Sequence, residues 1–347
     1  MAEEERLVSQ ELMDQADAIL RPALARQNLG HPLVRLLLEA GSQALASDLA
    51  TNSEQYAPPT SRPQPYQEEL KPQDIIEVAR RVELPALPQV AIRLQEITSN
   101  PESSAKDVAD IISLDPSLST ALLHLVNSAF YNFPSRIDTI ARAVAIVGTT
   151  QIHALAMGRM VLHMVSDLPP KHFDMDSFWE HSIACGMLAK GLAELRGGDE
   201  PERAFLSGML HDIGKLAVAS ALPNHGRALA ARPRQTLEYE AEQYILGFEH
   251  GRFGAIVLRK LDIPYPIVEA VANHHRPMEA KHPGNASLLH VADFMARTLV
   301  ISSANPPLIP PLSNEAWAWL ELDPDDLRPL IGNLNRQLQD MISILTG

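Results

Sequence analysis

Pro201-Glu202-Arg203-Ala204-Phe205-Leu206-Ser207-Gly208-Met209-Leu210-His211-Asp212-Ile213-Gly214-Lys215-Leu216-Ala217-Val218-Ala219-Ser220-Ala221 carries apolar residues at helical spacing and interrupts them with His-Asp and Lys. Apolar side chains three and four apart form a stripe on a helix and need a partner face to bury it. The same spacing fills 142–165, 177–195, 236–261 and 267–273, and strand-like alternation is nearly absent. The chain is therefore expected to be all-α.

On the N-terminal side, residues 1–50 show helical periodicity in Leu33, Leu36, Leu37, Ala40 and Ala44, with breaks expected at Pro22 and at Gly30-His31-Pro32. Residues 51–72 change character, with Pro58, Pro59, Pro63, Pro65 and Pro72 among polar residues, and read as an extended linker. Helix-length pieces resume at Ile75. Ser99-Asn100-Pro101 and Asp115-Pro116 look like helix starts, an N-cap before a proline at the first helical position. On the C-terminal side, a Pro-rich break at 305–311 precedes Trp317, Leu320, Leu327, Leu330, Leu334, Leu338 and Ile342, which read as helices packed back on the body.

The 347 residues hold 29 Lys plus Arg against 43 Asp plus Glu, a formal charge of −14, and no basic run. A broad positive face for DNA or an anionic membrane is thereby disfavoured. Cys185 is the single cysteine, which excludes an intrachain disulfide and a cysteine zinc knot. The acidic start Met1-Ala2-Glu3-Glu4-Glu5-Arg6 is unlike a signal peptide, and no apolar run has the length of a membrane helix. A cytoplasmic location is expected.

Eight of the 13 histidines fall between His181 and His290. Imidazole and carboxylate together suit divalent metals of intermediate softness. His181, His211, Asp212 and Asp293 supply two imidazoles and two carboxylates; Glu249-His250 and His274-His275 offer more. With Asp212 bridging, His250, His274 and His275 would complete a second site, and paired ions clamp a phosphate and generate its nucleophile. Neighbours on a helix diverge by about 100°, so His211 and Asp212 reach one ion only at a helix edge. Lys215 would lie on the face of His211 one turn along, within reach of a bound phosphate. His290, three residues before Asp293, is placed to orient it. His124, His153, His163, His172, His225 and His282 read as surface or core residues, His225 in a loop.

The order His, His-Asp, Asp resembles the HD superfamily of metal-dependent phosphohydrolases. Leu84-Pro85-Ala86-Leu87-Pro88, Asp115-Pro116-Ser117-Leu118, Val126-Asn127-Ser128-Ala129-Phe130-Tyr131 and residues 140–148 resemble the signature of the HDOD family, an HD-related output domain of bacterial signalling proteins. The resemblance covers roughly 75–300 and implies a two-lobed helical HDOD/HD-like domain acting downstream of signals. Many members of that family lack metal ligands, whereas this chain keeps every position. His250, His274-His275 and Asp293 are similar in order to the ligands of HD-GYP phosphodiesterases. Arg276-Pro277-Met278 replaces that family's acidic residue and Gly-Tyr-Pro loop, which speaks against cyclic di-GMP hydrolysis, and Ser177 stands where some members place a glutamate, which speaks against a third metal.

The expectation is thus an N-terminal helical region at 1–50, a linker at 51–72, an HDOD domain at 73–300 with lobes at 73–170 and 171–300, and a helical tail at 301–347. The metal ligands would be His181, His211, Asp212, His250, His274, His275 and Asp293, holding one or two ions of Fe, Mn, Mg, Zn or Ni. Asp212 and Lys215 would be the catalytic residues of a phosphohydrolase, with a nucleotide or phosphoester ligand and signalling proteins as partners. A non-catalytic scaffold and a nucleotide sensor are the alternatives. Asp115-Pro116 and Asn127 are expected to be structural, as cap and packing residues.

Overall fold

The computed structural model describes residues 9–56, 70–82, 88–98, 103–165, 173–198, 200–301, 303–304 and 306–346. The proline stretch at 57–69, the Leu84-Pro85-Ala86-Leu87 string and the Ser99-Asn100-Pro101 helix start lie outside them. The described residues contain helices and no strand. First come α1 (Gln10–Ala23), α2 (Pro32–Asn52), α3 (Ile75–Arg81), α4 (Gln89–Thr98), α5 (Ala105–Ile112), α6 (Pro116–Val126), α7 (Ile140–Val147) and α8 (Thr149–Val165). Then follow α9 (Met175–Leu195), α10 (Pro201–Leu210), α11 (Ile213–Ala221), α12 (Pro223–Ala230), α13 (Glu238–Ile245), α14 (His250–Lys260), α15 (Tyr265–Asn273) and α16 (Pro283–Leu299). The chain closes with α17 (Asn314–Leu320) and α18 (Arg328–Thr346).

Local chemistry sets many of these boundaries. Asp115 accepts from the Leu118 N–H at 3.0 Å with Pro116 at the first helical position, Asp174 caps α9, and Ser104 with Asp107 forms a capping box on α5. Asn127 closes α6: its amide donates to the carbonyls of Leu123 and Ile137 and accepts from the Ile137 N–H, each at 2.7 Å. Three segments that read as continuous are broken. Gly148 at φ 101° separates α7 from α8, Gly247 at φ 89° precedes α14, and His211-Asp212 divides α10 from α11. Apolar spacing continues across each break because both flanking helices bury the same side, so the pattern hides the turn. Pro22 does not end α1 before itself; it sits in the last turn, where the helix stops one residue later. His225 is helical, in α12, with Pro223 starting the helix.

Helix α9 is the axis of the molecule. It is buried almost all round from Phe178 to Ala193, the pattern of a helix enclosed by others. Helix α10 meets it at two glycines: a Cβ on Gly208 would stand 2.5 Å from the Gly186 Cα, so only hydrogens allow this approach. Helix α18 covers another side, with Leu330 seated on Gly191. Helix α16 packs along α9, and α2 crosses α16 where Gly41 faces the Thr298 carbonyl. One apolar core consequently runs from Leu20 in α1 to Leu345 in α18. Thr51 and Asn52 belong to α2, and a 3₁₀ turn at Ser53–Tyr56 follows it.

Candidate metal centre

Five structural elements converge at one place, α9 among them. His181 projects from the second turn of α9. His211 and Asp212 occupy the turn between α10 and α11, and Asp212 has φ −95° and ψ 4°. His250 opens α14, His274 caps α15 with His275 after it, and Asp293 lies in α16. Gly214 lets α11 meet α14: a Cβ there would fall 2.0 Å from the His250 carbonyl oxygen. That contact brings His250 to Asp212.

All seven expected ligands come together. The His181 Nε2 lies 3.0 Å from Asp293 Oδ1, 3.2 Å from His211 Nε2 and 3.7 Å from Asp212 Oδ2. The His211 Nε2 is 3.4 Å from both Asp212 Oδ1 and Asp293 Oδ1. The His250 Nε2 is 2.9 Å from Asp212 Oδ1 and 3.3 Å from His275 Nε2. The His274 ring lies within 5.2 Å, centroid to centroid, of those of His211, His250 and His275. Asp212 thus touches both a His181/His211/Asp293 set and His250 of the His250/His274/His275 set.

The donor chemistry fits divalent ions. Ligand atoms about 2.1 Å from one ion lie about 3.0 Å apart at a right angle and about 3.4 Å apart at a tetrahedral one. His211 Nδ1 bonds the Gly208 carbonyl at 2.7 Å and His274 Nδ1 the Val271 carbonyl at 2.8 Å. His250 Nδ1 bonds Glu242 at 2.7 Å. Once Nδ1–H is donated outward, a neutral ring presents a lone pair at Nε2, the usual preparation of a histidine ligand. His274 Nε2 is buried with no hydrogen-bond partner. Lone pairs of His250 and Asp212 facing each other at 2.9 Å call for a proton or a metal ion between them.

Electrostatics divide the imidazoles. Burial pulls His250 toward neutrality, but Glu242 and Asp212 outweigh it and raise its pKa to about 9. Burial together with neighbouring imidazoles holds His274 and His275 well below the usual histidine range. Burial would raise the Asp212 and Asp293 carboxyls; His211, Lys215 and His250 hold the first far down, and Arg297 with His181 does so for the second. Both are carboxylates at neutral pH.

Four expectations are corrected in detail. His211 and Asp212 do not share a helix edge, because the helix itself stops there. Lys215 consequently turns to Asp212 at 2.7 Å and Glu238 at 2.6 Å instead of lying along the face of His211. His290 does not orient Asp293: its Nδ1 donates to the His274 carbonyl at 2.8 Å and its Nε2 accepts from the Ser313 N–H at 2.9 Å. Glu249 pairs with Arg276 at 2.6 Å, outside the cluster.

Sequence reasoning missed Glu242, Glu238, Arg232 and Arg297. Arg297 donates to Asp293 at 2.8 Å across one helical turn, a spacing that could have revealed it. Glu242 reaches His250 only because Gly247 reverses the chain, and no local pattern announces that. A cleft of about 460 Å³ opens beside the cluster, lined by His181, Asp212, Lys215, Arg232, Glu238 and Arg297 among others.

Residues 84–277 match the family model of the HDOD domain. Asp293 and Arg297 lie beyond that match. An uncharacterized protein of Treponema pallidum (strain Nichols) is 27% identical over 206 residues, which are 57% of this chain and 39% of that relative. The chain so spans about two fifths of the relative's length. Among solved structures, an HDOD domain protein with unknown function from Geobacter sulfurreducens is similar over 77% of this chain and 97% of its own, with 19% identity and a TM-score of 0.61. A Shewanella amazonensis SB2B protein with the provisional name metal-dependent phosphohydrolase is similar over 77% and 97%, with 23% identity and a TM-score of 0.54. A Marinobacter aquaeolei VT8 protein provisionally named for signal transduction is similar over 89% and 66%, with 21% identity and a TM-score of 0.60. At these identities the likeness is one of fold.

Proposed function

The chain belongs to the HDOD family, and we propose that it is a bacterial signal-transduction protein whose His/Asp cluster holds one or two divalent ions and hydrolyses a phosphoester. The observation that carries this reading is the set of Nε2 atoms of His211, His250 and His274, each prepared by an outward Nδ1 bond and gathered around two carboxylates. His181, His211 and Asp293 would hold one ion, and His250, His274 and His275 a second, with Asp212 shared. Bound there, divalent metal supplies Lewis acidity and lowers the pKa of water.

The chain's own residues do the rest. Lys215 and Arg297 stand at the cleft side of Asp212, where each offsets charge that develops on phosphoryl oxygens. Glu242 fixes the ring of His250 through its Nδ1 and its backbone N–H. Burial of His211, His250 and His274 keeps bulk water from the deep side. Signalling proteins are the partners this reading implies, without nucleic acid.

Elemental analysis of purified protein, with hydrolysis of bis(p-nitrophenyl) phosphate by wild type, His211→Ala and Asp212→Ala, tests the proposal. Stoichiometric metal and turnover that both variants lose support it. A folded, metal-free wild type that acquires no metal on incubation with Mn²⁺, Fe²⁺ or Zn²⁺ leaves the scaffold account.

A further inference from the structure

The cleft beside the cluster has a charge pattern that the chain as a whole does not. In a protein of formal charge −14, four cations, Lys215, Arg232, Arg234 and Arg297, line one small concavity. Of the carboxylates lining the same cleft, Glu242 is committed to His250, Asp212 to the cluster and to Lys215, and Asp174 to the cap of α9. Glu238 is shared among three of the cations, 2.6 Å from Lys215, 3.2 Å from Arg232 and 3.7 Å from Arg297, while Asp212 also meets Lys215 at 2.7 Å and Asp293 meets Arg297 at 2.8 Å. Arg232 therefore has only a shared carboxylate, and Arg234 makes no ion pair among the described residues.

Donors are left over as well. Arg232 Nε and Arg297 Nη2 are buried without a hydrogen-bond partner. Lys215 spends two of its three N–H groups, on Asp212 and Glu238. A buried cationic N–H left without an acceptor is costly, and an anionic oxygen is the partner that satisfies it best.

Apolar side chains line the same cleft. Phe173 and Phe178 meet edge to face at 5.8 Å, and Leu308 and Ile309 come from the segment after α16. That segment is pinned by main-chain bonds, Leu308 N–H to the Arg234 carbonyl at 3.2 Å and Ile309 N–H to the Ala23 carbonyl at 2.9 Å. Leu308 is thus tied to the Arg234 main chain. At about 460 Å³ the space lies within the range of small-molecule sites, about 300–1,000 Å³.

From these features the geometry points to a small organic phosphate as the ligand: its anionic group meets Lys215, Arg232 and Arg297, and its apolar body lies between Phe178 and Leu308. A folded phosphoprotein or a nucleic-acid strand does not fit in so small a volume. Arg232 becomes the specificity residue for the anion. This assignment rests on the phosphoester reading of the same site, yet it is testable without turnover.

Calorimetric titration of chelator-treated full-length protein with phenyl phosphate, inorganic phosphate, benzyl alcohol and a single-stranded RNA decamer provides that test. Phenyl phosphate is expected to bind at least tenfold more tightly than inorganic phosphate, with benzyl alcohol and the decamer weaker still. Arg232→Gln is expected to weaken phenyl phosphate at least tenfold, and Leu308→Asp to erase its advantage over inorganic phosphate. Equal binding of the two phosphates, undiminished affinity in Arg232→Gln, or tighter binding of the decamer overturns the assignment. Circular dichroism confirms that each variant is folded. Metal content, measured separately, distinguishes the two failures: metal with Arg232-independent binding removes the anion seat alone, and no metal with Arg232-dependent binding removes hydrolysis alone.

Discussion

Glu242 accepts from both the Nδ1–H and the backbone N–H of His250, at 2.7 and 2.9 Å, and so holds that ring with its Nε2 toward Asp212. Replacing it by glutamine removes the charge and one of the two acceptors while preserving size. Partners of this kind are worth roughly 10–100-fold in metal affinity. Glu242→Gln is therefore expected to weaken Mn²⁺ or Zn²⁺ by that factor in a competition titration with a chelating dye, and unchanged affinity would remove its assigned role. Away from the cluster, Asn127 satisfies both main-chain groups of Ile137 with one side chain. Asn127→Ala is expected to lower unfolding free energy by about 1–3 kcal/mol in urea, the cost of leaving such groups unpaired. A change below a few tenths would show that water replaces the amide. Site residues differed in legibility for a physical reason. His211-Asp212 and His274-His275 stand out because the side chains able to hold a metal are a restricted set. Glu242, Glu238 and Arg232 are ordinary charged residues whose role arises only from where the chain turns.

Helix breaks are the part of the fold that apolar spacing conveys least. The all-α architecture followed from the stripe of apolar residues, and the Asp115-Pro116 cap was readable because capping uses few residue types. The turn at His211-Asp212 was hidden, since Leu210 and Ile213 are both buried on either side of it. That turn depends on Gly214, whose missing side chain admits the His250 carbonyl. An alanine there would sit 2.0 Å from that oxygen and 2.8 Å from the Gly254 nitrogen, so α11 and α14 must separate. Gly214→Ala is expected to cost about 1–3 kcal/mol or more in unfolding free energy, and to lose metal along with it. Gly226 in α12 is the control: its added Cβ meets Ala219 at 3.4 Å, an ordinary contact, and helix propensity favours alanine. Gly226→Ala is expected to be neutral or to stabilise by about 0.4–1 kcal/mol. Equal stability losses in the two variants would mean that the α11–α14 approach is not what Gly214 serves.

Taken as a single body, the chain joins helices that are distant in sequence through one small cluster. His181 and Asp293 are more than a hundred positions apart, and the residues of the cluster come from α9, the α10–α11 turn, α14, the end of α15 and α16. The terminal helices share the core with these elements, through Gly41 against α16 and Leu330 against α9, so disturbance at the centre reaches both ends. An ion bound only by the folded state stabilises it by mass action, by about 2.7 kcal/mol at a hundredfold excess over the dissociation constant. Without an ion, His250 and Asp212, 2.9 Å apart, would depend on a proton between them. Chelation by EDTA is therefore expected to lower the melting temperature of wild type by several degrees in one cooperative transition, and re-addition of Mn²⁺ or Zn²⁺ to restore it. Asp212→Asn, which shortens the donor set without changing shape, is expected to melt at the same temperature with and without chelator. A wild type indifferent to EDTA and metal would detach the cluster from stability, and a chelator effect that persists in Asp212→Asn would place the ion elsewhere in the molecule.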